Sequence, residues 1–268
     1  MTVWQNQPII RVRKRQIFLY FFINIFAGVG GKYSMEGKRL TSYAMEELEC
    51  PKCGHKHSLK KYKVINVTEK AKLKEEIMKN RLYQFSCEEC EYMAPLTYDS
   101  LYVDSRRNIM IYMAPVMNAE IKAEIAELEQ EKGIDKRLVD NINDLKEKIM
   151  IVDNHLDDRV IEIIKIMYLD QIKKEMEDDT LLNILFDYNR DNYCFLVFFQ
   201  KKGIGKIPLT REFYRQVEDK YKEAIKEHST DGFMKIDMEW AGKILFKNHN
   251  KFCLLYTSDA ADDRISVD

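Results

Sequence analysis

Two pairs of cysteines constrain this chain more than any other feature of its sequence. Cys50 and Cys53 bracket two residues, and Cys87 and Cys90 bracket two more. A C-x-x-C knuckle presents both of its sulfurs from the same side of a tight turn, so two knuckles can place four thiolates around one Zn²⁺. Since protein sulfurs then fill all four ligand positions, the spacing predicts a structural zinc site with no open position for water or substrate.

The residues around the knuckles bear on the same prediction. Gly54 directly follows the first knuckle, where a positive φ lets backbone N–H groups turn toward the sulfurs. Glu91 follows the second knuckle, where glycine would be easier to accommodate. Basic side chains near the first knuckle (Lys52, Lys56) could offset excess negative charge. We expect His55 and His57 to lie outside the ligand shell or to face solvent, because four sulfurs already complete it.

Three other interpretations of the cysteines stay open at this point: a disulfide pair, a thioredoxin-type redox motif and buried inert thiols. A redox C-x-x-C normally begins a helix after a strand. Cys50 is instead followed by a turn and a strand-like stretch over 57–67. The sequence therefore favours zinc.

Five segments between Glu49 and Pro115 carry a family resemblance. They read CPKCGHKH (50–57), INVTEKAKLKEEIMKNRL (65–82), FSCEEC (85–90), APLTYDSLY (94–102) and IMIYMAP (109–115). Together they resemble the CpXC domain family, which is named for two C-P-x-C motifs, although Glu88 stands where the second motif would have proline. The likeness continues more weakly through 138–167. The resemblance implies a bacterial or archaeal metal-binding domain and supplies no catalytic residues.

Both ends of the chain carry unusual sequence. Residues 253–262 read CLLYTSDAAD, which can be translated from DNA that looks like a transposon-based library adapter. We therefore interpret 253–268 as an artefact and exclude Cys253 as a ligand.

Residues 1–34 contain a basic run and then an apolar stretch over 17–29, which is the layout of a signal peptide or short membrane anchor. The apolar stretch is shorter than the roughly 20 residues that a membrane-spanning helix needs. We favour a mistranslated upstream region, with Met35 or Met45 as the start, over a genuine signal-like segment.

The balance of charged residues and the reduced cysteines limit the classes of partner and the cellular compartment that we expect for this protein. The chain has 43 basic and 44 acidic residues, so it lacks the strongly basic balance that non-specific nucleic-acid binding usually needs. A hydrophobic content of 46 % beside 32 % charged residues indicates a globular protein. Four reduced thiolates require a reducing compartment, so we expect a cytoplasmic protein, without a membrane partner unless the N-terminal segment is genuine.

Apolar periodicity and capping residues predict an α+β fold. A zinc ribbon-like domain over 46–115 carries an inserted helix, a helical region covers 116–177, and an α+β unit covers 178–252. The predicted helices are 69–82 capped by Thr68, an acidic helix from Asn118 to Gly133, a helical pattern from Leu138 to Val152, 156–176, and two helices capped by Thr210 and Asp237. The predicted C-terminal strands are 181–188, 192–200 and a third ending at Pro208.

A search for catalytic motifs finds none of the common ones. Gly203 to Lys206 superficially resembles a phosphate loop but lacks its spacing, so a hairpin turn is favoured. Asp157 and Asp158 lie in the first turn of a helix, where the helix dipole accounts for them. Cys194 is interpreted as a buried strand residue.

The sequence thus predicts a metal-stabilised interaction module whose protein partner is unknown. One alternative is a nucleic-acid-binding or transcription-associated zinc ribbon, because a local basic strand carries Tyr62 among several lysines (Lys52, Lys56, Lys60, Lys61 and Lys63). A second alternative is a thiol redox or metal sensor.

Overall fold

The computed structural model describes residues 39–175, 178–189 and 192–246. They divide into two compact units: the first contains 39–121 and Asp140–Ile142, and the second contains Lys122–Val139 and the chain from Asn143 onward. Helices and sheets occur together, which confirms the α+β class. The apolar stretch over 17–29 and the 253–268 tail with Cys253 lie outside the described residues.

The first unit is built on a mixed sheet. Its elements in chain order are β1 (Ser42–Glu49), β2 (Lys56–Asn66), α1 (Lys72–Met78), a 3-10 turn (Arg81–Tyr83), β3 (Gln84–Ser86), β4 (Met93–Pro95), β5 (Ser100–Asp104), β6 (Ile109–Met113) and the start of α2 (Ala119–Leu128). The strands of this unit run in the order β1-β2-β5-β6, while β3 and β4 form a separate hairpin. β2 and β5 pair in parallel, so a crossover must connect them. That crossover carries α1 and the second knuckle.

The inserted helix is present but shorter than predicted. Leu73 and Ile77 lie one turn apart on its buried face. Thr68 is not its cap: the Thr68 hydroxyl accepts a hydrogen bond from the N–H of Ser105 at 2.8 Å, and the helix begins at Lys72. Asn80, with a φ of 63°, separates the helix from the following 3-10 turn.

The second unit contains a three-stranded meander and most of the helices. Its elements are the remainder of α2, β7 (Asp135–Val139), α3 (Ile142–Asp153), α4 (Asp158–Glu175), β8 (Leu181–Asn189), β9 (Asn192–Phe199), β10 (Gly203–Leu209), α5 (Arg211–Glu227) and α6 (Met238–Leu245). The first residue of α3, Ile142, is grouped with the first unit. The sheet order is β10-β9-β8, with both pairings antiparallel. The predicted hairpin and third strand are therefore confirmed.

Local capping chemistry fixes three of the helix starts as predicted. Asn118 accepts from the N–H of Ile121 at 2.9 Å. Thr210 and Asp237 accept from the backbone N–H groups three residues further on, at 3.1 and 2.9 Å. α2 ends at Leu128, before the predicted stop at Gly133.

One predicted helical position is a strand residue. Leu138 lies in β7, where its N–H donates to the carbonyl of Met234 at 2.9 Å, so the helical pattern starts only with α3. This contact joins residues almost one hundred positions apart, so local periodicity cannot predict it.

Over the ranges given above, no helix combines the length and the apolar character needed to span a membrane.

The core of the second unit lies between its sheet and its helices. α4 packs against α5 and α6, and its wide isoleucine face is buried, as the periodicity predicts. β9 alternates buried and half-buried residues, with Phe195 and Val197 facing the core. Cys194 points away from that core and is half-exposed, so its interpretation as a buried residue is wrong.

Candidate metal centre

The two cysteine knuckles share one backbone pattern. Cys50 donates its N–H to the carbonyl of His55 at 2.8 Å and accepts at its own carbonyl from Gly54 at 2.8 Å. In the second knuckle, Cys87 donates to Tyr92 at 2.8 Å and accepts from Glu91 at 3.0 Å. Each turn connects two antiparallel strands, β1 to β2 and β3 to β4. Two hairpins therefore present their cysteines in the same way.

Both turns require a left-handed residue directly after the second cysteine. Gly54 has a φ of 74° and Glu91 has a φ of 57°. Glycine adopts this conformation without steric cost, whereas a glutamate side chain is strained by it. The second knuckle thus departs from the favourable sequence while keeping the backbone shape of the first.

The four sulfur atoms meet between the hairpins. Cys50 Sγ lies 3.7 Å from Cys90 Sγ, and Cys53 Sγ lies 3.6 Å from Cys87 Sγ. All four sulfurs lie within 4.8 Å of one another. A disulfide bond would bring two sulfurs to about 2.05 Å, so these are free thiols. The four residues singled out in the sequence could hold a metal ion together.

The cluster is sheltered on one side only. Cys50 and Cys87 are buried, Cys90 is half-exposed and Cys53 is exposed. An ion could therefore enter through the side of Cys53, while the first cysteine of each knuckle anchors the site in the core.

His57 lies beside the sulfurs, on β2. Its Nε2 is 3.2 Å from Cys87 Sγ, and its ring packs edge-on against Phe85 and His55. When Nε2 carries the hydrogen, it donates to the sulfur of Cys87, which reduces the charge on a thiolate. On the other side, Lys52 Nζ donates to the carbonyl of Cys90 at 3.3 Å. Lys52 thus brings a positive charge close to the four sulfurs, and His57 brings a hydrogen-bond donor.

The thiols differ in their tendency to ionise. Burial opposes ionisation of Cys50, but the backbone N–H groups of Cys53 and Lys52 outweigh it and lower the pKa to about 7. The N–H of His55 favours the Cys53 thiolate, but desolvation and the three neighbouring sulfurs outweigh it and raise its pKa to about 12. The Cys53 thiol is therefore protonated near neutral pH unless a metal ion displaces its proton.

Comparison with known protein families gives a match that includes all four cysteines. The family model described as CpXC protein matches residues 48–165. Residues 48–165 therefore match the CpXC family. Comparison with curated proteins and with solved structures found no match. The CpXC match begins two positions before Cys50 and ends within α4, so it covers both knuckles and extends into the second unit.

A connected group of six buried charged side chains, which sequence reasoning did not predict, lies within the second unit. We call them the ionic cluster; they are Arg137, Glu147, Lys148, Asp158, Glu162 and Lys165. Arg137 forms a bidentate salt bridge with Asp158, in which three nitrogen–oxygen distances are 2.8 to 3.0 Å. Lys148 donates to Glu162 at 3.0 Å and to the carbonyl of Ile236 at 2.6 Å.

Part of the ionic cluster has a signal in the sequence. Asp158, Glu162 and Lys165 are spaced by four and three residues, so they share one face of α4. The helix dipole is thus an incomplete account of Asp158, which is buried and paired with Arg137 and Lys148. Asp157 instead binds the guanidinium of Arg159 through both carboxylate oxygens.

Replacing Glu91 by glycine is expected to stabilise the first unit by about 1 kcal/mol, because glycine removes the steric cost of a left-handed residue. The reverse change at the first knuckle, Gly54→Ala, should destabilise by about the same amount. A Cβ at Gly54 would meet its nearest atom, Glu49 Oε1, at an ordinary 3.6 Å, so the cost is conformational. Chemical denaturation of the metal-loaded variants measures both changes.

The control is Glu88→Gly, which removes the same charge from the same loop at a residue without a positive φ. It should give no comparable gain. An equal gain in stability in Glu88→Gly would show that removing a negative charge, and not relieving backbone strain, stabilises the second knuckle.

Proposed function

We propose that Cys50, Cys53, Cys87 and Cys90 bind one Zn²⁺ as thiolates, and that the metal stabilises an interaction module of the reducing cytoplasm. The observation that carries the proposal is the sulfur geometry. Zinc–sulfur bonds of about 2.3 Å in a tetrahedron separate the sulfurs by about 3.8 Å. The two sulfur pairs lie 3.6 and 3.7 Å apart, so an ion would fit between them with little movement.

The donor set points to a structural metal. Soft thiolates select zinc or iron among the common metals, and a complete set of four sulfurs leaves no position for a substrate or a reactive water. Such an ion does no chemistry of its own. It would join the β1–β2 hairpin to the β3–β4 hairpin, whose strands have only three residues each.

Metal binding would also displace protons. A four-thiolate site needs Cys53 ionised, and its pKa of about 12 keeps it protonated at neutral pH. The metal must therefore compete with protons, and its affinity should rise with pH. Lys52 and His57 would offset part of the resulting negative charge.

Metal analysis of the purified full chain tests the proposal. Protein prepared under reducing conditions without a chelator should contain one zinc per chain, and Cys53→Ser should lower that content. Cys194→Ser is the matched control, since Cys194 lies on β9, outside the four-cysteine cluster. Zinc near zero in the wild type, or an equal loss in Cys194→Ser, would sink the proposal.

The lysines of β2 give little support to the alternative that this protein binds nucleic acid. Lys61 pairs with Glu46 at 2.6 Å, and Lys60 lies 4.2 Å from the ring of Tyr43. These lysines are thus partly engaged by the neighbouring strand β1. A mobility-shift titration across salt concentrations would restore this alternative if it showed tight, salt-dependent binding.

The sensor alternative makes a different prediction for the thiols. A redox sensor should convert its cysteines reversibly to disulfides under mild oxidation. A structural site should keep all four sulfurs protected while metal is bound and expose them only after chelation. Titration of thiols with and without metal distinguishes the two.

A further inference from the structure

β1 is the edge strand of the mixed sheet in the first unit. It pairs with β2 on one side, and among the described residues no strand pairs with its other side. The strand is eight residues long, from Ser42 to Glu49. An open edge of this length presents unpaired N–H and C=O groups to any extended chain that reaches it.

The ladder determines which residues present those groups. Cys50 donates its N–H toward β2, to the carbonyl of His55. Backbone groups alternate in direction along an antiparallel strand. Leu48, Glu46 and Ala44 therefore point their backbone groups at β2. The residues between them point theirs outward: Tyr43, Met45, Glu47 and Glu49.

The same four residues also present their side chains on an open face. All four are exposed, with Tyr43 at 49 % and Met45 at 56 %, whereas the intervening residues are half-buried. The edge thus has an apolar half at Tyr43 and Met45, where Lys60 Nζ lies 4.2 Å from the Tyr43 ring, and an acidic half at Glu47 and Glu49, with Lys56 opposite Glu49 on β2. Glu46 belongs to the other face, where Lys61 neutralises it at 2.6 Å.

We propose that β1 binds an extended segment of a partner protein by strand addition. The segment would place apolar side chains beside Tyr43 and Met45 and basic side chains beside Glu47 and Glu49. This deepens the proposed function and rests on it, because the first knuckle fixes the end of β1. Main-chain hydrogen bonds to the edge would supply affinity, and the alternate side chains would supply specificity.

Charge favours a basic partner segment over a second copy of the chain. β1 carries three glutamates between 46 and 49 and has no basic residue. Pairing two copies of β1 would bring four carboxylates, Glu47 and Glu49 of each copy, to one face of the seam, and like charges close across a strand pair are destabilising. A basic segment would instead form opposite-charge pairs.

Fluorescence anisotropy with two peptides as long as β1 tests the proposal on the full chain. One peptide alternates valine and lysine, and the other alternates valine and glutamate. The valine–lysine peptide should bind, and Met45→Pro should weaken it by about tenfold or more, because proline removes an outward N–H that the fold does not use. Amide NMR shifts should map the binding to β1.

A second variant tests charge without altering the backbone. Glu47→Lys should weaken the valine–lysine peptide by roughly fivefold and strengthen the valine–glutamate peptide. Glu223→Lys is the matched control, an equal charge change on the exposed surface of α5, and it should leave binding unchanged.

Several outcomes overturn the proposal: no binding of either peptide, equal binding of both, or Met45→Pro binding as tightly as the wild type. A dimer by sedimentation that Met45→Pro dissolves would assign the edge to a second copy instead. Zinc content is measured on every variant. A metal-loaded protein that fails to bind refutes only the edge, whereas a metal-free wild type refutes the proposed function.

Discussion

Removing the metal from the four cysteines, by chelation or by Cys87→Ser, should loosen residues 46–115 while the second unit stays folded. β3 and β4 have three residues each, and a two-stranded hairpin of that size is not stable alone. Structural zinc can supply on the order of 10 kcal/mol of apparent folding free energy. Hydrogen exchange should show lost protection around both knuckles and retained protection in β8–β10.

The second unit should survive because it has its own apolar core, which includes Ile164 on α4, Phe195 on β9 and Trp240 on α6. Cys194→Ser serves as the control and should leave exchange unchanged in both units. Full protection of the knuckles after chelation would show that the hairpins need no metal.

Breaking the ionic cluster should cost far more than breaking a surface pair. Lys148→Met removes a buried cation that lies 3.0 Å from Glu162 and 3.2 Å from Asp158. Truncating one partner leaves buried charge uncompensated, so we expect a loss of about 3 to 5 kcal/mol in the free energy of unfolding. Urea denaturation, followed by a probe in the second unit, measures it.

Lys243→Met is the matched control. Lys243 pairs with Glu239 at 3.1 Å on α6, but both side chains are more than 60 % exposed. An exposed pair of this kind contributes about 0.5 kcal/mol or less. Equal losses in the two variants would contradict the burial argument.

Within the ionic cluster, acid should protonate Asp158 only at low pH. Burial alone would raise the pKa of Asp158, but Arg137 and Lys148 outweigh it and hold the pKa well below its ordinary value. A carboxyl with a depressed folded pKa stabilises the fold above its unfolded pKa of about 3.9 and loses that contribution as pH falls toward the folded pKa. The stability difference between wild type and Asp158→Asn should therefore stay constant from neutrality to about pH 4 and shrink only below it.

The features that local chemistry determines could be predicted from the sequence. The caps Asn118, Thr210 and Asp237 bond to backbone groups three residues away, so they need no tertiary information. The cysteine spacing similarly predicted which sulfurs meet, since each knuckle is one short turn. The pairing of β8 with β9 followed from two aliphatic and aromatic runs joined by a short polar segment of the sequence.

Features that depend on distant partners could not be predicted. Thr68 looked like a cap, but its hydroxyl is taken by Ser105, 37 residues away. Leu138 fitted a helical spacing, but Met234 draws it into a strand. The ionic cluster was missed because periodicity treats lysine and glutamate as surface residues, and only folding brings Arg137 to Asp158 and Lys148 to Glu162.

X-ray absorption at the zinc edge of the purified full chain tests the central claim most directly, because it reports the number, type and distance of the ligands. The four-cysteine site predicts four sulfurs at about 2.3 Å and no nitrogen or oxygen. A mixed shell of sulfur and nitrogen would place a histidine such as His57 on the metal in place of a cysteine. A shell with oxygen from exchangeable water, or protein that holds no zinc, would contradict the closed structural site.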